Sequence, residues 1–398
     1  MSLRIMCGYI ECSMCLCAVV AIVPNTVSAQ EISLDSLEQA VDLEPGEGDR
    51  LDFFRLSGFG VGAFNFRSGS EQNSFSASKL AISAFKRSGP YLSFFGQITN
   101  VLEPSDPAAA EPTVATDPTA ADEEGATLET EIDNLIVSFT PPGADEVNIW
   151  FGRFDVPFGF ERDDEPLNFQ PTNSFNFEFA RPIKFTGVMV NYTPLPVVSL
   201  STFVVNGWDQ TVDNNKGKTV GARVSFLPYE FSALSVTGVY GPEKDDNTSD
   251  QRFLLDIDFT AQPLNSLILG GEFNFGTEEN SAIDGGDADW VGGSLTSFLR
   301  LTGNVGITVR YDVFDDTDGA RTGDKRTLQS LTLAPMLFFR SATSGIYSTI
   351  PQTGFSLPEF SLRAGLRFDH SNNDFFNGDN GSLQNTETRF ILEGVFVY

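Results

Sequence analysis

Charged side chains recur along this chain at alternate positions among apolar neighbours. Arg252, Asp256 and Asp258 are interleaved with Phe253, Leu255, Ile257 and Phe259, and Arg310 and Asp312 with Val309, Tyr311 and Val313. Arg223, Glu272, Arg363, Arg367, Arg389 and Glu393 stand in similar settings, and one stretch, 155–182, adds Asp155, Glu161, Asp163, Asp164, Glu165 and Glu178. The chemistry open to such groups is electrostatic. Acids on one element facing a row of guanidiniums across a narrow wet gap set up a transverse field that sorts ions. The same groups paired with one another would only fill and stiffen a wall, and the sequence leaves both readings open.

Bond-making chemistry has little to work with. The one histidine, His370, is followed by Ser371 and Asn372, but adjacent residues on one loop do not make a triad, whose members converge in space. The acidic runs Asp284-Gly285-Gly286-Asp287-Ala288-Asp289 and Asp315-Asp316-Thr317-Asp318-Gly319 lack the twelve-residue calcium-loop spacing and read as turns. Gly58-Phe59-Gly60-Val61-Gly62 has no phosphate-loop lysine and reads as close packing or a kink within a strand. No catalytic residue, metal ligand or cofactor is implied.

The elements that must carry these charges are strands. Period-2 segments are expected near 51–66, 74–87, 90–102, 126–140, 145–154, 183–192, 197–206 and 219–227. They continue near 232–240, 251–261, 266–276, 289–301, 304–314, 327–339, 359–369 and 386–398. That is about sixteen, an even number, as single-chain bacterial barrels have. Side chains of a strand alternate faces, so the apolar set should meet lipid and the charged set a lumen. A soluble sandwich alternates too. The charged face is taken as the inside because the last segment closes on Phe390, Leu392, Gly394, Phe396 and Tyr398, with no covering element after it. No run reaches the roughly 18 apolar residues of a helical span, so any crossing is by strands.

The connections alternate as well. Short ones include Ser88-Gly89, Pro141-Pro142-Gly143, Thr193-Pro194-Leu195-Pro196, Pro228-Tyr229-Glu230, Gln262-Pro263-Leu264-Asn265 and Thr302-Gly303. Longer polar loops fall at 103–125, 155–182, 207–218, 241–250, 277–288, 315–325 and 370–385. Long loops belong outside the cell and short turns to the periplasm, which puts both termini in the periplasm. The connection 341–358 is long for a turn and is where the strand count is weakest; its Ile346, Tyr347 and Phe355 could pack across the barrel mouth.

Residues 1–29 read as a cleavable export signal, with Arg4 early, an apolar run at 14–23 and Val27-Ser28-Ala29 before Gln30. All four cysteines lie there, so the mature chain has neither disulfide nor thiolate chemistry. Arg4 and Glu11 cancel, so cleavage leaves the net charge of −29 unchanged. That surplus argues against a nucleic-acid partner and suits solvated loops. The low-complexity loop 103–125 is expected to be mobile, and 30–50 is a periplasmic segment, helical or disordered, before a barrel at 51–398.

Gly152-Arg153-Phe154-Asp155-Val156-Pro157-Phe158-Gly159, Arg181-Pro182-Ile183-Lys184-Phe185-Thr186-Gly187, Asn206-Gly207-Trp208-Asp209 and Asp213-Asn214-Asn215-Lys216-Gly217-Lys218 together resemble the OmpL-like β-barrel porin family, and more distantly phosphate-selective porins. Arg363 to Phe368, followed by Asp369-His370-Ser371-Asn372, resembles that family's penultimate strand and loop. The final strand resembles the one by which outer-membrane barrels are recognised for assembly. The resemblance implies an all-β transmembrane antiparallel barrel in the outer membrane of a Gram-negative-type bacterium. Its partners would be lipid, the barrel-assembly machinery and small hydrophilic solutes or ions, and in porins a long early loop such as 155–182 folds into the lumen. The acidic, Pro/Ala-rich 103–125 departs from the family. A lipid-facing strand and a subunit-interface strand read alike, so a homotrimer fits equally. Against passive diffusion through a charge-lined pore stand a non-conducting anchor or adhesin and an outer-membrane hydrolase.

Overall fold

The computed structural model describes residues 52–68, 73–104, 126–341, 350, 353–378 and 382–398. Sixteen antiparallel strands close on themselves. They are β1 (Asp52–Arg67), β2 (Asn73–Ser88), β3 (Leu92–Pro104), β4 (Ala126–Phe139), β5 (Val147–Asp155), β6 (Lys184–Leu195), β7 (Val198–Val205) and β8 (Thr219–Tyr229). Then follow β9 (Ser232–Gly241), β10 (Arg252–Leu264), β11 (Leu267–Glu278), β12 (Ala288–Arg300), β13 (Val305–Asp316), β14 (Arg326–Ser341), β15 (Pro358–Ser371) and, last, β18 (Thr386–Val397). Two-residue strands β16 (Phe376–Asn377) and β17 (Leu383–Gln384) pair with each other in the final long loop. Each barrel strand pairs with its sequence neighbours, and β18 closes the wall against β1 from Phe59↔Val397 to Arg67↔Arg389.

Alternation sorts the side chains as the period predicts. On β13, Val309 and Tyr311 are 43 % and 49 % exposed on the outer face, while Arg310 and Asp312 are wholly buried inside. All sixteen expected segments are strands, most of them longer at one end or both. The short turns show why. After Tyr192, Phe226 and Ala261 the register slips and the ladder resumes at Leu195↔Val198, Tyr229↔Ser232 and Leu264↔Leu267. Pro194, Pro228 and Pro263 occupy the slips, where an N–H donor is not needed. Residues that read as turn are therefore the strands' own ends.

At closure, Gly58 and Tyr398 exchange backbone hydrogen bonds at 3.0 Å, and Ser57 Oγ donates to Tyr398 O at 2.7 Å. The Tyr398 ring lies across Gly58, where an added Cβ would sit 2.5 Å from the phenol oxygen. The glycine is the recess for the terminal aromatic.

The connection between β14 and β15 joins neighbouring strands, paired at Ser341↔Pro358, so the count of sixteen stands. Ile346 and Tyr347 lie outside the described residues, as do the signal, the segment 30–50 and most of the loop 103–125. Phe355 turns inward: its ring meets Phe169, Phe298 and Phe338 at 5.5, 5.1 and 5.5 Å, in an apolar cluster that includes Ile350 and Leu357.

Candidate functional site

The segment between β5 and β6 lies inside the barrel, and the wall's charges hold it there. It carries a 3-10 turn at Glu165–Leu167 and a π turn at Asn176–Ala180. Its entry needs Gly159, whose φ of +89° suits glycine and whose Cβ would lie 2.8 Å from both Arg181 and Glu272. Acids of the wall accept its N–H groups: Glu272 from Phe160 at 3.0 Å, Asp312 from Phe175 at 2.9 Å and Asp258 from Gly159 at 3.4 Å. Arginines of the wall grip its carbonyls. Arg310 donates to the oxygens of Thr172 and Asn173, Arg363 to Glu165 O and Asn168 O at 2.8 and 2.7 Å, and Arg367 to Asn173 O at 2.6 Å. Trp290 Nε1 donates to Ala180 O at 3.0 Å.

Glu161 is the hub. Its carboxylate accepts from Arg310 at 2.7 Å, from Gln170 at 2.9 Å and from Ser174 N at 3.0 Å, while its own carbonyl receives Arg181 at 2.9 Å. Arg181 in turn pairs with Glu272 at 2.8 Å. Further pairs run along the wall: Arg223 to Asp258 at 2.5 Å with Asp256 at 3.8 Å, Arg310 to Asp312 at 3.1 Å, and Arg252 to Glu278 at 2.9 Å. Arg363 pairs with Glu393, Arg367 and Arg389 share Asp369, and Glu178 on the π turn adds its field at Arg367. Charge-assisted bonds of this kind are strong, and the cost of burying the charges is offset only when all are partnered.

Charge that still meets solvent lies elsewhere. Arg223, Arg310, Arg363, Arg367 and Arg389 are at most 2 % exposed. The side chains of Asp155, Asp163 and Glu165, by contrast, are 31 %, 26 % and 29 % exposed. These acids crown two lysines. Lys184 reaches Asp133 at 2.6 Å, Asp163 at 3.1 Å and also Asp155; Lys79 reaches Glu165 at 3.5 Å and Asp163 at 3.9 Å. Gln97 Nε2 donates to Asp164 at 2.9 Å. On this loop, burial pushes the Asp164 carboxyl up to about 7. Burial also acts to raise Asp163, but Lys79 and Lys184 outweigh it and hold that carboxyl at about 2. Arg162, half-buried beside them, makes no ion pair among the described residues.

The candidate charges thus lie on the inner side of the wall and on the inserted loop: the arginine row is covered, Asp163 and Glu165 keep exposed surface, and Asp164 between them is buried. Lys79, Asp133, Lys184 and Arg162 are additions that alternation alone did not single out. His370 stands on the outer face of β15 opposite Gln329 and Thr386, with no side chain hydrogen-bonded to its ring among the described residues. The two acidic runs meet through Lys325, which pairs with Asp284 at 2.8 Å and Asp318 at 3.9 Å. No group of three or more His, Cys, Asp or Glu among the described residues is arranged to hold a metal ion.

A family model described as "Putative beta-barrel porin-2, OmpL-like" matches residues 67–398. Among solved structures, OmpF of Salmonella typhi, in complex with daunomycin, superimposes with a TM-score of 0.58 at 10 % identity, over 87 % of this chain and 98 % of that one. An anion-selective porin from Comamonas acidovorans gives 0.57 at 10 %, over 87 % and 100 %. The outer membrane channel DcaP of Acinetobacter baumannii gives 0.56 at 13 %, over 89 % and 100 %. At such identities the likeness is one of fold. A search of curated protein sequences finds no match.

Proposed function

This chain belongs to the OmpL-like family of β-barrel porins, and we propose that it passes ions and small hydrophilic solutes passively across the outer membrane. The observation that carries the reading is the polarity of the closed wall. Its outward residues are mostly apolar, its inward residues combine a charged and hydroxylic set with two apolar clusters, and a loop is bonded across the interior; a wet path of restricted width along the polar part of that interior is the reading this supports. In this reading the long loops face the exterior and the short turns, with both termini, the periplasm.

The narrowest passage lies beside the loop. Its accessible side chains are Asp155, Asp163 and Glu165, which together with Asp133 outnumber the Lys79 and Lys184 they pair with, so the pore prefers cations modestly. The arginine row takes part indirectly, by fixing the loop. Liposome swelling tests the proposal. Vesicles holding the purified protein should swell in isotonic small neutral sugars, and more slowly as the sugar grows. A second reading, a barrel that does not conduct, is favoured by the aromatic cluster around Phe355, and no swelling above protein-free vesicles would select it.

A further inference from the structure

Where the inner loop leaves β5 and the chain returns as β6, three carboxylates close on one ammonium. Lys184 opens β6 and stands directly opposite Asp155, the last residue of β5. Its Nζ pairs with Asp155, with Asp133 at 2.6 Å and with Asp163 at 3.1 Å. The three acids come from separate stretches of chain: Asp133 from β4, Asp155 from β5 and Asp163 from the inner loop. The backbone of Lys184 is fixed as well, because its N–H donates to Asp209 at 2.8 Å.

Acids outnumber the cation there by three to one. Lys79 makes up little of the difference, since it lies nearer to Glu165, at 3.5 Å, than to Asp163, at 3.9 Å. Arg162 feels Asp258 more strongly than Asp155. One oxygen of the Asp133 carboxylate, Oδ2, accepts from no donor among the described residues, although that side chain is only 5 % exposed. A buried acceptor without a partner costs free energy. Carboxylate oxygens converging from several sides are what a hard divalent cation takes, calcium at about 2.3–2.6 Å. In this protein the point of convergence is filled by Nζ of Lys184. Solvent reaches its rim, where the side chains of Asp155 and Asp163 are 31 % and 26 % exposed.

We propose that Lys184 is a tethered cation, whose ammonium holds the place a divalent ion would otherwise take beside the narrow passage and so keeps that passage clear for monovalent ions. The proposal rests on the reading of this side of the loop as the wet path. A divalent ion lodged among the acids would carry two charges into the path and oppose each cation that followed. The lysine carries one, cannot exchange, and leaves the acids in excess, which preserves a mild attraction for cations.

Lys184→Ala removes the ammonium with its stem, opens the space they filled and leaves the three acids facing one another. Calorimetric titration of the detergent-solubilised full chain with calcium chloride should then show one saturable site at about millimolar concentration. Wild type and Lys184→Arg should show no such site; all three proteins share the same loop acids, so the difference reports on this position. Adding Asp163→Asn to Lys184→Ala should weaken the binding about tenfold or more, because affinity follows the count of charged ligands. In a planar bilayer the same calcium range should reduce the potassium current of Lys184→Ala and leave that of wild type unchanged. Should Lys184→Ala fail to fold in potassium chloride, calcium should restore its strand circular dichroism. Wild-type binding as tight as the variant's, a folded Lys184→Ala that takes up no calcium, or an unfolded one that calcium does not rescue would overturn the proposal. Silence of wild type in the bilayer would count against the pore instead, and the titration would still decide whether Lys184 fills a divalent-ion position.

Discussion

Arg310 is the side chain whose loss should most directly release the inner loop. It pairs with Glu161 at 2.7 Å and Asp312 at 3.1 Å, and donates to the carbonyls of Thr172 and Asn173 and to Thr332 Oγ1 at 3.2 Å, with no exposed surface. Arg310→Met keeps much of the stem and strands the Glu161 carboxylate. Breaking a buried pair by removing one partner costs about 3–5 kcal/mol. At the lower end, the ratio of docked to released loop falls roughly 150-fold. The wall should be spared, because its ladder between β12 and β14 is made by backbone groups. Strand circular dichroism should therefore match wild type, while single-channel recordings show larger and noisier open currents and proteases cut within 156–183. Adding Glu161→Met should recover part of the loss, since the stranded charge goes with it. Unchanged conductance and protease resistance in Arg310→Met would refute the claim that the arginine row works by holding the loop.

Three further outcomes follow from the same geometry. Asp163→Asn with Glu165→Gln removes two of the three exposed acids and should move the reversal potential in a salt gradient toward anion preference; no movement would mean that these side chains do not line the path. Because burial raises Asp164 to about 7, its carboxyl is mostly protonated at pH 6 and mostly charged at pH 8. Cation preference should rise across that window and the rise should vanish in Asp164→Asn, as bi-ionic potentials can read. Gly58→Leu places side-chain atoms where the Tyr398 ring lies and should impair closure of β18 on β1, visible as loss of the heat-modifiable band on gels, whereas Gly60→Ala, which meets nothing nearer than 4.0 Å, should be tolerated.

The wall was legible in the sequence because a strand's period is 2 and each face met one kind of surroundings. Arg310 and Asp312 between Val309, Tyr311 and Val313 announce both the strand and its inside. The charged residues of the strands' inner face were legible for the same reason, whereas the inserted acidic loop was expected only from the resemblance to porins. Partnership was not legible. Glu161 and Arg310 are 149 residues apart, and only the closed sheet brings them together. Which acids end exposed depends on where the loop turns, set by Gly159 and its contacts with Arg181 and Glu272. Asp133 faces inward beside Asn134 because the register slips at Gln97/Ile98, an irregularity that alternation conceals.

The central claim is that a charge-lined, loop-narrowed path for ions runs through this barrel. Purified protein in a planar bilayer, bathed in asymmetric potassium chloride, tests it most directly. The account predicts stepwise conductance increments with a reversal potential displaced modestly toward that of potassium, and a displacement that shrinks when Asp163 and Glu165 are neutralised. A bilayer that stays silent although the protein has inserted as a folded barrel would contradict it.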